Sequence, residues 1–255
     1  MEEGSHPRVD VLGVHVSAIN MDVAVNTVHR WLTSGLANYV CVTGVHGVME
    51  CQRDPDLLLI HNSAGMVTPD GMPMVWASRW AGVSEADRVY GPDLMLELCR
   101  RSVEQGWRSF FYGGKPGVAE LLAATLVERF PGFQVAGTHV PPFRDLTAAE
   151  DALVIEAIND AEADLLWVGL STPKQERWMA AHRGLINTPV MIGVGAAFDI
   201  NSGSLNQAPR FVQRSGFEWL YRLVQEPRRL WRRYLRNNPE FVIRMLRHPP
   251  RLLAE

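Results

Sequence analysis

Lysine is nearly missing from this chain. Of its 25 basic residues only Lys115 and Lys174 are lysines, and all others are arginines. Cysteine is scarce as well: Cys41, Cys51 and Cys99 lie far apart, with no CxxC pair and no even count. That pattern excludes a disulfide framework, gives a thiolate metal site no supporting spacing, and predicts reduced, mostly buried thiols in a cytoplasmic protein. No stretch approaches the roughly 18–20 consecutive apolar residues that a spanning helix needs. The best candidate, Pro189–Phe198, is strand-like and holds two glycines. The acidic opening, MEEGSHPRVD, lacks the apolar core of a signal peptide. Neither G-x-G-x-x-G nor a Walker A motif occurs, so NAD and ATP are not specifically indicated. Nor is there a recognisable nucleic-acid module, and nucleic acid is not expected as a partner.

What is present is ordinary in bulk and unusual in arrangement. With 255 residues, 47% hydrophobic and 21% charged, the chain can bury one large core, or one core and an appendage. Apolar strand-like runs alternate with helical periods. Strands are predicted over 9–16, 39–43, from 67, and over 109–112, 134–138, 165–168 and 190–194. Helices are predicted over 23–34, 54–62, 74–80, 92–104, 117–130, 148–161 and 175–183. Such alternation implies parallel crossovers: an α/β, Rossmann-like, mostly parallel sheet sandwiched by helices. Ligands of such sheets sit beyond the carboxyl ends of the strands.

The end of the chain departs from this pattern. From Leu205 onward there are 11 arginines, no lysine and four glutamates, net +7, whereas residues 1–204 carry −10. The expected organisation is an α/β catalytic domain over 1–204 and a helical, arginine-rich appendage over 205–255. Phe217, Leu220, Tyr221 and Val224 form an i, i+3, i+4, i+7 stripe, Pro227 suits the start of a second helix and Pro239 a third. Arg222, Arg229, Arg232 or Arg233, and Arg236 recur at sevens and fours. They read as a solvated face or as a column of guanidiniums for phosphate oxygens, which arginine grips bidentately. A basic, aromatic-laced tail on an acidic globule fits a polyanionic partner: an anionic membrane surface, a diphosphate or nucleic acid.

Five strand-end segments carry the polar and glycine content that chemistry needs. Thr43-Gly-Val-His46-Gly offers a hydroxyl and flexible backbone for a phosphate or sugar, with His46 either structural or a contact. Thr68-Pro-Asp70-Gly holds Asp70, a turn residue or a general base able to take a proton from an attacking hydroxyl. Gly113 and Gly114 precede a helix, where backbone N–H groups can meet an anion. Ser171 or Thr172 caps the next helix and puts Gln175 and Glu176 in its first turn, Glu176 as a capping-box partner. Gly195 opens a buried strand end toward Asp199, a place for a flat ring whose N–H groups Asp199 receives. Asp54-Pro-Asp56 has the Asp-x-Asp form of some metal sites, but Asp54 before Pro55 reads as an N-cap.

Together these segments resemble the WecG/TagA/CpsF family of bacterial glycosyltransferases. The likeness runs through TPDGMPMVWASR (68–79), DRVYGPDL (87–94), FFYGGKPGVAE (110–120), GLSTPKQERW (169–178), GVGAAFDINSG (193–203) and FEWLYRLVQEPRRLWRRY (217–234). It implies a metal-independent, inverting transfer of a sugar, often N-acetylmannosamine, from a UDP donor to a polyprenyl-diphosphate-linked sugar. Asp70 falls on the proposed base, and Gln175 and Arg88 on substrate-pocket positions. Arg222, Arg229 and Arg232 fall on appendage arginines that reach the diphosphate as the appendage closes over the site and docks on membrane. The implied location is peripheral, on the inner face of the cell membrane, with no cofactor beyond the donor. One departure stands out: many members have Thr-Pro-Asn where this chain has Thr43-Gly-Val-His46, so glucose, N-acetylmannosamine and its uronate all stay open as the donor sugar. A nucleotide-binding α/β enzyme of another class and a non-catalytic membrane or nucleic-acid adaptor are the alternatives. The tail's apolar stripes fit packing on the core or on a second copy of the chain.

Overall fold

The predicted alternation is realised in a computed structural model that describes residues 6–254. In chain order the elements are β1 (Arg8–Val11), β2 (Val14–Ser17), α1 (Met21–Ser34), β3 (Asn38–Thr43), α2 (Val45–Cys51), α3 (Pro55–Asn62), β4 (Met66–Pro69), α4 (Met72–Trp80), α5 (Gly91–Gln105), β5 (Arg108–Gly113) and α6 (Val118–Arg129). They continue with β6 (Gln134–His139), α7 (Ala148–Asp160), β7 (Leu165–Gly169), α8 (Lys174–His182), β8 (Val190–Gly193), α9 (Ala197–Asn201), α10 (Arg210–Ser215), α11 (Glu218–Gln225), α12 (Pro227–Arg247) and β9 (Arg251–Leu252). Six strands form a sheet in the order β4-β3-β8-β7-β5-β6, with parallel pairing from β3 through to β6. This is the α/β class that the periodicities imply. The chain divides into two compact units that are not consecutive in sequence. One takes the described parts of 1–24, 42–90 and 207–255, and the other 25–41 and 91–206.

The unit of residues 25–41 and 91–206 contains most of the parallel sheet. Leu165, Leu166, Trp167 and Val168 of β7 and Val190, Met191 and Ile192 of β8 are all buried, as expected for strands covered on both faces. Their register sets Gly113 beside Gly169, and Gly193 beside both Val168 and Cys41. Three glycines thus lie at the carboxyl ends of neighbouring strands. Helix α7 opens on a capping box in which Thr147 and Glu150 bond each other's backbone N–H groups.

The other unit carries the tail. Where one strand is expected over 9–16, two form, because Leu12 and Gly13 take positive φ (55° and 85°) and turn the chain into a hairpin. Val9, Val11, Val14 and Val16 are buried on its inner side, and β9 pairs with β1. Helix α2 is not foreseen from sequence: Gly44 begins it directly after β3, so His46 lies on a helix and not in an open loop. Asp54 caps α3 by accepting from Leu57 N–H at 3.1 Å, which is the capping role read for it.

Pro239 does not start a third helix but lies inside α12, which runs unbroken for 21 residues. An interior proline costs roughly 3 kcal/mol. Leu230, Phe241 and Met245 of the same helix are buried, each contributing about 2 kcal/mol, so tertiary packing outweighs local propensity. The expected stripe on α11 is not buried: Phe217, Leu220 and Val224 are exposed. The sevens-and-fours pattern of arginines is also interrupted, because the chain breaks at Glu226 between α11 and α12.

Candidate active site

Strand β4 delivers Asp70 at its carboxyl end. Asp70 N–H bonds the carbonyls of Thr43 (3.0 Å) and Thr68 (2.9 Å), and Gly71 follows with φ of 93°, a value that favours glycine. Gly44 makes the close approach possible, since a Cβ there would lie 2.8 Å from the Asp70 carbonyl. Thr43 is buried at the same strand end.

Arg88 meets this carboxylate. Its Nη2 is 3.8 Å from Asp70 Oδ1 and also donates to Glu218 Oε2, while Nη1 donates to Gln213 Oε1 at 2.9 Å. The guanidinium lies 3.9 Å over the Tyr90 ring. Gln213 and Glu218 belong to the tail, so α10 and α11 are fastened to the Asp70 strand end through one side chain. Sequence reading identified Asp70 and Arg88 but gave no role to Tyr90, Gln213 or Glu218. Glu218 was legible only as one of four acids in a basic tail.

Arginines of the tail gather around the same residues. Burial works against the charge of Arg222, yet Tyr234, Tyr90, Asp70 and Glu218 outweigh it and hold the guanidinium above its ordinary value. Burial, with Glu218 and Asp70 next, pushes the Tyr90 phenol far up, so it stays neutral. Arg233 is buried enough to be lowered to about 10, with Arg222 and Arg229 adding repulsion. The Nε groups of Arg88, Arg222 and Arg233 are all buried without a hydrogen-bond partner. Each of these guanidiniums thus keeps one buried N–H that no protein acceptor meets.

Of the expected trio, Arg222 faces this cluster. Arg229 is half exposed and paired with Glu226, whereas Arg232 is exposed and lies 5.1 Å over the Trp231 ring. Arg233 turns inward instead, one helical turn after Arg229. His46 joins the tail from α2: Asn237 Nδ2 donates to its Nδ1 at 3.1 Å, and Glu50 is 3.6 Å away. Arg53 ties the same helix by bonding Asn237 (3.0 Å) and Glu240 (2.5 Å).

In the other unit, the loops after β5, β7 and β8 converge. Gly113 packs on Gly169 so closely that a Cβ would lie 2.8 Å from its carbonyl carbon, and Gly114 N–H donates to the Gly169 carbonyl at 2.9 Å. These glycines bring two strand ends together, and the Gly114 N–H is already used, contrary to the expectation that it is turned toward a phosphate. Phe198 covers Gly114 and Gly169. Asp199, in the first turn of α9, pairs with Lys115 at 3.4 Å. Gly195 has φ of 50° and faces Gln175. Gln175 and Glu176 are 2% and 0% exposed. Neither Ser171 nor Thr172 caps α8; Pro173 holds that position, and Thr172 Oγ1 donates to Glu176 Oε1 at 2.8 Å. Among the described residues no group of three or more His, Cys, Asp and Glu side chains is assembled to hold a metal ion.

A family model described as "Glycosyl transferase WecG/TagA/CpsF family" matches residues 9–253. The chain belongs to that family. It is 32% identical over 199 residues (78% of this chain, 75% of the relative) to the N-acetylglucosaminyldiphosphoundecaprenol N-acetyl-beta-D-mannosaminyltransferase of Bacillus spizizenii. A protein of the same name from Staphylococcus aureus is 26% identical over 246 residues, 96% of this chain and 94% of its own. As a member of the WecG/TagA/CpsF family, the chain is a glycosyltransferase.

Replacing Arg88 tests the central contact. Arg88→Met leaves Glu218 deeply placed without its counter-charge and should destabilise the protein by about 3–5 kcal/mol. The double variant Arg88→Met/Glu218→Leu should recover much of that loss, and urea unfolding followed by circular dichroism measures both.

Proposed function

We propose that this glycosyltransferase moves N-acetylmannosamine or a related hexose from a UDP donor to a sugar on a polyprenyl diphosphate, with inversion and without a metal. The names of its relatives support the acceptor class and the sugar. The observation that carries the mechanism is Asp70 beside Arg88 within a cluster of partly unsatisfied, buried arginines. Asp70 takes the proton of the acceptor hydroxyl. The freed oxygen bonds to the anomeric carbon as the bond from that carbon to the diphosphate breaks, and UDP leaves with the bonding electrons.

The leaving diphosphate gains charge in the transition state, and preorganised donors aimed at such charge are the largest catalytic term in many enzymes. Arg222, Arg229 and Arg233 supply that charge in this reading, and for Arg222 and Arg233 desolvation strengthens the contact. Gly195, Asp199 and Gln175 hold the donor.

A peripheral position on the inner face of the cell membrane follows from the acceptor. No described helix is long and apolar enough to cross a membrane. Trp231, Leu235, Val242 and Leu246 of α12 are nonetheless exposed, at spacings that place them on one helical face. Beside the tail's arginines this face suits anionic lipid, where each basic residue adds about 1 kcal/mol.

Asp70→Asn should lower transfer by roughly 10²- to 10⁴-fold, the usual contribution of a general base, while calorimetry shows unchanged affinity for the UDP-sugar. Full activity of this variant, read by mass spectrometry of the lipid-linked product, removes Asp70 from the mechanism. The reaction should keep its rate in EDTA; loss restored by Mn²⁺ contradicts the metal-free reading. Val242→Asp/Leu246→Asp should reduce flotation with anionic vesicles while the melting temperature stays constant, and undiminished flotation rejects this face as the anchor.

A further inference from the structure

We infer that Glu176 is a positioning residue that determines which end of the Gln175 amide is presented to the substrate. The inference rests on the reading of Gln175 as a donor-substrate contact and goes beyond it.

Both side chains are in the first turn of α8 and are almost completely buried. Glu176 Oε1 accepts from Thr172 Oγ1 at 2.8 Å and from Gln175 Nε2 at 3.0 Å. The amide of Gln175 has one donating and one accepting end, and Glu176 Oε1 takes the donating end, while Glu176 Oε2 is buried without a partner. Glu176 therefore turns the carbonyl oxygen of Gln175 the other way.

That oxygen is buried and has no hydrogen-bond partner. The backbone around it is kept bare. A Cβ on Gly195 would lie 3.5 Å from Gln175 Oε1, and a Cβ on Gly193 would lie 2.7 Å from Met179 Cε and 3.2 Å from Gln175 Cγ and Cδ. A buried acceptor without a donor is costly to maintain, and the space beside it is closed by no side chain of these two glycines. The missing partner is a ligand group that donates: a sugar hydroxyl or an N–H of the donor substrate. The pair then acts as a filter. It accepts a ligand bearing O–H or N–H at this point and penalises one bearing an acceptor there, because discrimination is strongest where a buried polar group would be left unpaired.

Steady-state kinetics of the full-length enzyme with its UDP-sugar donor test this, alongside the variants Gln175→Met, Glu176→Met and Glu176→Gln. Glu176→Met removes the acceptor that orients the amide and should raise the donor KM by about tenfold with kcat little changed, the scale of one misdirected hydrogen bond. Glu176→Gln keeps an oxygen in the same place and should recover most of that loss, which a purely steric role does not predict. Calorimetry with UDP alone then locates the donating group: weakened UDP binding places it on the nucleotide, and weakening confined to the UDP-sugar places it on the sugar. If Gln175→Met leaves KM unchanged, Gln175 is no substrate contact and the parent reading fails. If Gln175→Met raises KM and Glu176→Met does not, the positioning role alone is overturned. Melting temperatures check folding. Should Glu176→Met not fold, Thr172→Val, which loosens the same carboxylate, must raise KM in the same direction, and an unchanged KM overturns the inference.

Discussion

One guanidinium organises the Asp70 strand end. Arg88 offers a donor to Gln213, another to Glu218, its face to Tyr90 and its charge to Asp70. A lysine has no planar fork and makes none of this geometry in combination. The arrangement has two effects with one cause. It joins the strand end that bears Asp70 to the helices of the tail, and it keeps positive charge beside that carboxylate.

The tail shows how burial sorts a run of charges into different environments. An arginine that stays in water is worth little to stability or recognition, because solvent screens it. Arg222 and Arg233 are different: both are desolvated, and each retains a buried Nε without a partner. A buried N–H without an acceptor costs free energy, whatever the rest of the guanidinium gains from neighbouring carboxylates. The apolar residues Leu230, Phe241 and Met245 supply the stability that makes this tolerable.

Much of this was legible in the chain. Strand-helix alternation gave the sheet, because buried parallel strands must be apolar throughout and their crossover helices amphipathic. Asp70, Gln175 and Asp199 were legible as polar residues placed where strands end, and Arg88 through the family resemblance alone. Other features were hidden. The hairpin at Leu12 and Gly13 looks like one strand when a leucine, and not a standard turn pair, occupies the bend. Arg232 and Arg233 are neighbours in sequence, and a periodicity counted across Glu226 gives no way to choose, since the break there resets the helical phase. Gly113 and Gly114 matched a phosphate loop by pattern, but the Gly114 N–H is used on the Gly169 carbonyl, a partner 55 residues away.

The amino-acid order alone settled the α/β class, the basic tail and the family, because each depends on periodicity, composition or local motif. Tertiary structure decided which polar groups act together. Whether Arg233 points inward, whether Glu218 reaches Arg88, and which end of Gln175 is free all depend on desolvation and on partners distant in sequence. Hydrogen bonds and charges gain their strength from surroundings that no local pattern encodes.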